Sequence, residues 1–315
     1  MRAAVISQLG RPPEPADRTE PAVLADHVVV DVLAAPITPL DLLCAGGTSY
    51  FGAPATPYVP GVQGIGTVGE RTVWFPTSAG MAAGDGSMAE KALVRQEDLV
   101  FLPDDVPPYA MGALGLSAVA AHMALTWRGE LEQGECLIVL GCGAVGQAAI
   151  QLARIAGAGR VVAATRSGRS RERALRAGAD AVIDLATDDL AAQFREAAPD
   201  ADLLLDPLFG PPAAAAAEAL RPGGRWVNLG SSAGETCPVT SATLRSRSLR
   251  LSGYTNNELS PQQRAEAIST VAHLAAHGRL SVDHEVVPLA EVADAWQRQS
   301  GGTSHGRMVL APARS

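Results

Sequence analysis

Leu137-Ile138-Val139-Leu140-Gly141-Cys142-Gly143-Ala144-Val145-Gly146 is the stretch that decides how this 315-residue chain reads. Four consecutive apolar residues make a buried strand, three glycines follow at the spacing GxGxxG, and Ala148-Ala149-Ile150-Gln151-Leu152-Ala153 continues as an apolar-periodic helix. Each glycine has its own task. Gly141 permits a tight turn, Gly143 lets the backbone approach a pyrophosphate, and Gly146 lets the helix lie close against the strand. Gly141, Gly143, Ala144, Val145 and Gly146 therefore form the first candidate ligand site, with the helix N-terminus offering N–H groups to a phosphate. The triplet alone is a weak signal; the strand before it and the helix after it supply the context.

Working outward from the turn, strands alternate with helices. Strands are expected over 136–140, 160–165, 181–184, 203–206, 225–229 and 249–253, and helices over 145–156, 170–177 and 212–220. That alternation predicts an α/β fold with a doubly wound parallel sheet. The first 115 residues differ in character, with short strands expected over 3–6, 27–33 and 64–68 between Pro and Gly clusters. A helix over 116–127 follows them, and a helix over 261–277 and a strand over 307–310 return to the first part. The expected domains are 1–115 with 254–315, which is β-rich, and 116–253, which binds the dinucleotide.

Composition narrows the function. A net charge of -8 argues against a general nucleic-acid binder. Lys91 is the only lysine, which excludes a Walker-type phosphate loop and leaves little room for Schiff-base chemistry. Cys44, Cys136, Cys142 and Cys237 form no CxxC pair, and the six histidines do not cluster, so no metal site is expected. The N-terminus turns polar at Ser7 and Gln8, and no apolar run reads as the roughly 20 residues of a membrane helix. A cytoplasmic protein with no membrane partner is expected.

The choice of cofactor is read at the end of the strand after the turn. An NAD site places an acid there to accept from the ribose 2′-OH. This chain has Ala164-Thr165-Arg166-Ser167-Gly168-Arg169, with no acid. Arg166 is the best candidate to grip a 2′-phosphate, because a guanidinium presents a planar fork of donors; Arg169 is second, and Thr165 and Ser167 offer hydroxyls. NADPH is the expected cofactor. The alternative is a solvated basic helix start, since Arg171, Arg173 and Arg176 follow. Leu229, Gly230 and Ser231 end a later strand, where a doubly wound sheet brings the nicotinamide half.

Together these motifs resemble the medium-chain dehydrogenase/reductase superfamily, and within it the zinc-free quinone oxidoreductase branch. Pro60-Gly61-Val62-Gln63-Gly64-Ile65-Gly66-Thr67-Val68 is similar to the family's PGxExxGxV turn, Gly86-Ser87-Met88-Ala89-Glu90 to GGYAE, and Leu114-Gly115-Leu116-Ser117-Ala118 to the LxLTA helix start. Arg221-Pro222-Gly223-Gly224-Arg225-Trp226-Val227 resembles the LxxGGRxV strand, and Pro288-Leu289-Ala290-Glu291-Val292 with Gly306-Arg307-Met308-Val309-Leu310 resembles the C-terminal PLxEV…GKxVL signature. The resemblance covers the whole chain. It implies a Rossmann nucleotide domain beside a β-rich GroES-like catalytic domain, a small-molecule substrate, and a homodimer joined through edge strands.

Where the chain departs from the family, the departures are informative. The positions that resemble the catalytic zinc ligands are Thr38, Val62 and a residue near Leu116, so a zinc-free site is expected. Quinone-reductase relatives often carry Asn-Pro-x-Asp with an Arg four residues on; here the residues are Thr38-Pro39-Leu40-Asp41 and Ala45. Without a strong Lewis acid the substrate must already accept hydride, as quinones and carbonyl-conjugated alkenes do. The developing enolate is then held by donors and protonated from water or a hydroxyl. Thr38, Asp41 and Tyr50 are the candidate catalytic residues, with Ser117 beside the nicotinamide. Each also has a structural reading: Thr38 as a turn residue, Asp41 as a helix cap, Tyr50 as an exposed loop aromatic. A zinc-free alcohol dehydrogenase or ketoreductase, and a crystallin-like nucleotide binder without turnover, are the competing readings.

Overall fold

The computed structural model describes residues 1–312. Its first elements are strands β1 (Arg2–Val5), β2 (Glu14–Asp17) and β3 (His27–Pro36), helix α1 (Pro39–Gly46), strands β4 (Gln63–Val68), β5 (Arg71–Pro76), β6 (Lys91–Arg95) and β7 (Val100–Phe101), and helix α2 (Pro108–Met123). Strand β3 is the organiser. Its valine-rich run suits a pleated surface, and it pairs antiparallel with β4 on one side and with β6 on the other. Trp74, on β5, is fully buried, and its indole N–H donates to Gln63 Oε1 at 2.9 Å. A buried tryptophan thus carries its one donor to a partner.

Helix α2 is broken at Gly115, whose φ of 26° and ψ of -128° are not helical. A Cβ at this position would stand 2.2 Å from Gln63 Oε1, so both the backbone and the neighbour require glycine. After Met123 the helix runs on as a π-helical turn, Ala124–Arg128. By length and composition alone the 21-residue helix Pro108–Arg128 could cross a membrane, against the expectation that no such run exists. Two-thirds of its apolar window is buried inside the protein, which is what a core helix shows.

The next elements are β8 (Cys136–Leu140), α3 (Ala144–Ile155), β9 (Arg160–Thr165), α4 (Gly168–Ala177), β10 (Ala181–Asp184), α5 (Leu190–Ala197), β11 (Ala201–Asp206), α6 (Gly210–Ala217), β12 (Leu220–Asn228), α7 (Ser241–Ser246), β13 (Arg250–Gly253) and α8 (Pro261–Ala276). The six strands form one sheet in the order β10-β9-β8-β11-β12-β13, and every pairing is parallel. This is the expected doubly wound sheet. The winding reverses between β8 and β11, where such sheets bind ligands. The strands are buried on both faces, so β8, β9 and β11 read as continuous apolar runs. The core gathers Ile138, Leu140, Val162, Leu204 and Trp226 with small alanines of α6. Helix α6 ends at Ala217 instead of residue 220, because Leu220 already pairs with Ala201 as the first residue of β12.

Strand β14 (His284–Pro288), helix α9 (Val292–Ser300) and strand β15 (Arg307–Ala311) complete the chain. They extend the first sheet to the order β14-β15-β3-β4-β5-β7, with β15 antiparallel to β3. Met308 and Leu310 of β15 join Val30, Val32, Phe75, Met88 and Trp296 in one core. The chain divides into two compact units, Met1–Gly115 with Ile268–Ser315 and Leu116–Ala267. The expected domains divided at 115/116 and at 253/254; the second crossing lies inside α8.

Gly115→Ala is expected to cost about 2–4 kcal/mol of stability, the range for a side chain forced into a glycine-only conformation against a packed neighbour. Urea unfolding compared with the wild type measures this, and an unchanged midpoint would refute it.

Candidate functional site

At the end of β8, Gly141 takes a φ of +76°, and its N–H donates to Ala164 O at 2.7 Å. Gly143 is the extended residue before α3 and supplies no side-chain cap, so the first N–H groups of the helix face outward without a side-chain acceptor. The two later glycines do opposite work. A Cβ on Gly146 would lie 2.1 Å from Gly141 O, whereas a Cβ on Gly143 would meet nothing within 4 Å. Gly146 is closed packing, and Gly143 is open space beside uncapped donors, the arrangement that admits a phosphate. Ala144 is buried and Val145 half-buried in the first turn.

Next to it, β9 delivers Thr165, which is buried and whose carbonyl accepts from Leu185 N at 2.8 Å. Arg166, Ser167 and Arg169 are exposed. The Ser167 hydroxyl caps α4 by accepting from Ser170 N at 3.2 Å, so it is used locally. Neither Arg166 nor Arg169 has an ion-pair partner among the described residues. Leu229, Gly230 and Ser231 follow β12 and are half-buried. The sheet order therefore brings three predicted segments, 141–146, 165–169 and 229–231, to the same carboxyl edge. Ser117 is a buried residue of α2 in the same unit.

One residue of this edge escapes a reading of the sequence. Asp206, the last residue of β11, is fully buried. Its Oδ1 accepts from Leu208 N at 2.9 Å and Phe209 N at 2.7 Å, and its Oδ2 from Trp226 Nε1 at 2.8 Å and Asn228 Nδ2 at 3.3 Å. Leu229 N donates to Asp206 O at 2.8 Å, and Asn228 Nδ2 also reaches Gly230 O at 2.8 Å. This carboxyl thus fixes the backbone that leads into Leu229-Gly230. Burial pushes it above the ordinary aspartate value, and the four donors pull it only part of the way back. An acid closing the apolar run Leu203-Leu204-Leu205 was the available signal.

In the other unit Thr38 and Asp41 form a capping box at the start of α1. Asp41 Oδ2 accepts from Thr38 N at 2.8 Å and Thr38 Oγ1 at 2.7 Å, and Oδ1 accepts from Gly61 N and Val62 N at 3.0 Å each. Both residues are buried. The Thr38 proton is directed at Asp41, and Asp41 holds the Gly61-Val62 turn. Beneath them Arg307 donates to Ile37 O at 2.8 Å; burial pulls this guanidinium down to about 10, against the charge of Asp41. Tyr50 is elsewhere, 74% exposed, with its ring 4.5 Å from that of Phe51. The structure joins Thr38 to Asp41, and the hydrogen bonds of the pair are those of a cap.

Residues 144–273 match the family model described as zinc-binding dehydrogenase. The fold agrees over almost the whole chain with the quinone oxidoreductase of Thermus thermophilus, solved also in complex with NADPH: 27% identity, 99% of this chain and 100% of that one, TM-score 0.83. These likenesses support the medium-chain dehydrogenase/reductase superfamily and, within it, the quinone oxidoreductase-like branch. Similar proteins include an alcohol dehydrogenase of Geobacillus stearothermophilus, 25% identical over 98% of this chain and 99% of that protein. Another is the mitochondrial enoyl-[acyl-carrier-protein] reductase of Bos taurus, 28% identical over 82% of this chain and 74% of its own. The matched stretch 144–273 lies outside Thr38 and Val62, so the family model's description does not bear on those positions.

Because the folded midpoint of Asp206 is raised, the unfolded chain loses this proton first as pH climbs past 3.8. The proton's contribution to stability is full below 3.8 and is lost as pH rises through the folded midpoint. Urea unfolding across the acid range is expected to show that the stability difference between the wild type and Asp206→Asn shrinks as pH rises. A wild-type advantage that grew with pH would instead mean that the donors hold Asp206 ionised.

Proposed function

We propose that this protein is an NADPH-dependent reductase of the medium-chain dehydrogenase/reductase type that works without zinc on quinones or carbonyl-conjugated alkenes. The observation that carries the reading is the end of β9, where Arg166 and Arg169 are exposed, neither has an ion-pair partner among the described residues, and residues 165–169 include no acid. Unpaired guanidiniums at that place suit a 2′-phosphate, and an acid would have suited a 2′-hydroxyl. The open face of Gly143 and the uncapped start of α3 fit the pyrophosphate. Leu229, Gly230, Ser231 and Ser117 would hold the nicotinamide half. When bound, the cofactor supplies hydride.

The rest follows from the chain's own groups. Thr38 presents a hydroxyl whose proton points at Asp41, and Val62 presents an aliphatic side chain. Neither polarises a carbonyl as a metal ion would. The substrate must therefore be electrophilic in itself, which selects conjugated alkenes and quinones over simple ketones. The proton that completes the reduction comes from water.

Two experiments test this. NADPH oxidation is expected with 1,2-naphthoquinone and with an α,β-unsaturated ketone, and not with the saturated ketone; consumption with the saturated ketone alone would overturn the proposal. In the second, Arg166→Ala should raise the KM for NADPH about ten- to hundredfold, the effect of one charge-assisted contact, while that for NADH barely moves. Gly143→Ala should weaken NADPH binding at an unchanged melting temperature, since its Cβ meets no protein atom. Equal shifts for both nucleotides would make Arg166 a positioning residue.

A further inference from the structure

Helix α8 buries Ala267, Ile268, Val271, Ala272 and Ala275 along one face. That helical pattern turns Thr270, His273 and His277 outward, and all three are exposed. The six histidines look scattered in the sequence, yet α8 sets two of them one turn apart, at the i,i+4 spacing that makes side chains neighbours. His277 still belongs to the helical ladder. Its N–H donates to His273 O at 3.3 Å, and Gly278 closes the helix behind it with a φ of 65°.

The two rings are held alike. His273 Nδ1 lies 2.8 Å from Ser269 O, and His277 Nδ1 lies 2.7 Å from His273 O. A carbonyl oxygen carries no proton, so in each neutral ring the hydrogen sits on Nδ1 and Nε2 keeps its lone pair. Neither Nε2 has a hydrogen-bond partner among the described residues. A ring that donates one N–H to a backbone carbonyl and presents its other nitrogen bare is the arrangement of a metal-ligating histidine. The position adds a second attraction. Both residues stand at the C-terminal end of α8, where the outstanding carbonyls form the negative pole of the helix and favour a cation.

We propose that His273 and His277 clamp a divalent transition-metal ion at the end of α8 through their Nε2 atoms. No third His, Cys, Asp or Glu completes the set among the described residues, so water fills the rest of the coordination sphere. Two imidazoles without a carboxylate select Cu(II), Ni(II) and Zn(II) over Mg(II) and Ca(II), and Cu(II) binds tightest of the three. This exchangeable surface site supplies no step in the proposed reduction and does not rest on that reading.

The test is calorimetric titration of the full chain with Cu(II), Ni(II) and Ca(II), each added as the simple salt. Cu(II) is expected to bind most tightly, Ni(II) more weakly, and Ca(II) not at all. The paramagnetic resonance spectrum of the Cu(II) form should carry the signature of two imidazole nitrogens. His273→Gln and His277→Gln should each weaken Cu(II) at least about tenfold, the lower bound even for losing a supporting partner of a metal ligand. Both positions are exposed, so the melting temperature of the metal-free protein should not move. A double variant, His277→Gln with Arg279→His, keeps six histidines but loses the spacing, and should bind no better than His277→Gln alone. Unchanged binding in either single variant would mean that the metal sits elsewhere, on the thiols for example, and would overturn the proposal. So would recovery of affinity in the double variant, Ca(II) binding as tight as Cu(II), or a spectrum with fewer than two nitrogens.

Discussion

The unit built on the parallel sheet depends on one close approach. Helix α3 begins so near the end of β8 that only hydrogen fits on residue 146, against the carbonyl of Gly141. The contact sets the angle at which the helix leaves the turn, and hence where its first N–H groups point. It also draws those groups to the gap between β8 and β11, where the winding of the sheet reverses and no helix crosses from one strand to the other. Gly141, Gly143 and Gly146 share a motif, yet they answer to different constraints: a positive φ, an open face and a steric limit.

Each unit then uses a buried carboxyl to solve a backbone problem. Loops that follow strands and precede helices carry N–H groups with no ladder partner, and burying them unpaired is costly. Asp206 gathers those of Leu208 and Phe209, and Asp41 those of Gly61 and Val62 together with the cap at Thr38. In both cases burial outweighs the donors and raises the proton affinity of the acid. The carboxyls fix these loops, which packing alone does not. The same economy places the fully buried tryptophans: Trp74 donates to Gln63 and Trp226 to Asp206, so each large ring is oriented by one polar contact.

The legible part of the fold was that in which periodicity and breakers agreed. The buried strands of the parallel sheet are continuous apolar runs flanked by glycine, and they read directly from sequence. Elements without such a run did not: β6 and β14 begin or end on charged or polar residues, β7 spans two residues, and α5 is only eight residues long. Helix α2 hid its length because Gly112 and Gly115 look like breakers, although Gly112 is ordinary helix and only Gly115 interrupts it. The three candidate segments at the carboxyl edge of the sheet could be picked out because each is short and consecutive. Asp206 could not, because its partners at 208, 209, 226 and 228 come together only once β11 and β12 pair. Thr38 and Asp41 were recognisable as a cap by their spacing, but the grip on residues 61 and 62 is a tertiary contact that no local pattern encodes.

That grip has a chemical consequence. Threonine at position 38 suits the start of α1, since its hydroxyl and the Asp41 carboxylate satisfy each other. The hydroxyl that sequence reasoning would offer to a substrate oxygen is therefore already committed. Asp41 is surrounded by four donors, with the buried charge of Arg307 nearby, so it is poorly placed to take or give a proton. Freeing either group would mean breaking the cap and the turn together. The cap and the turn are thus one hydrogen-bonded unit, in which neither Thr38 nor Asp41 keeps a polar atom to spare.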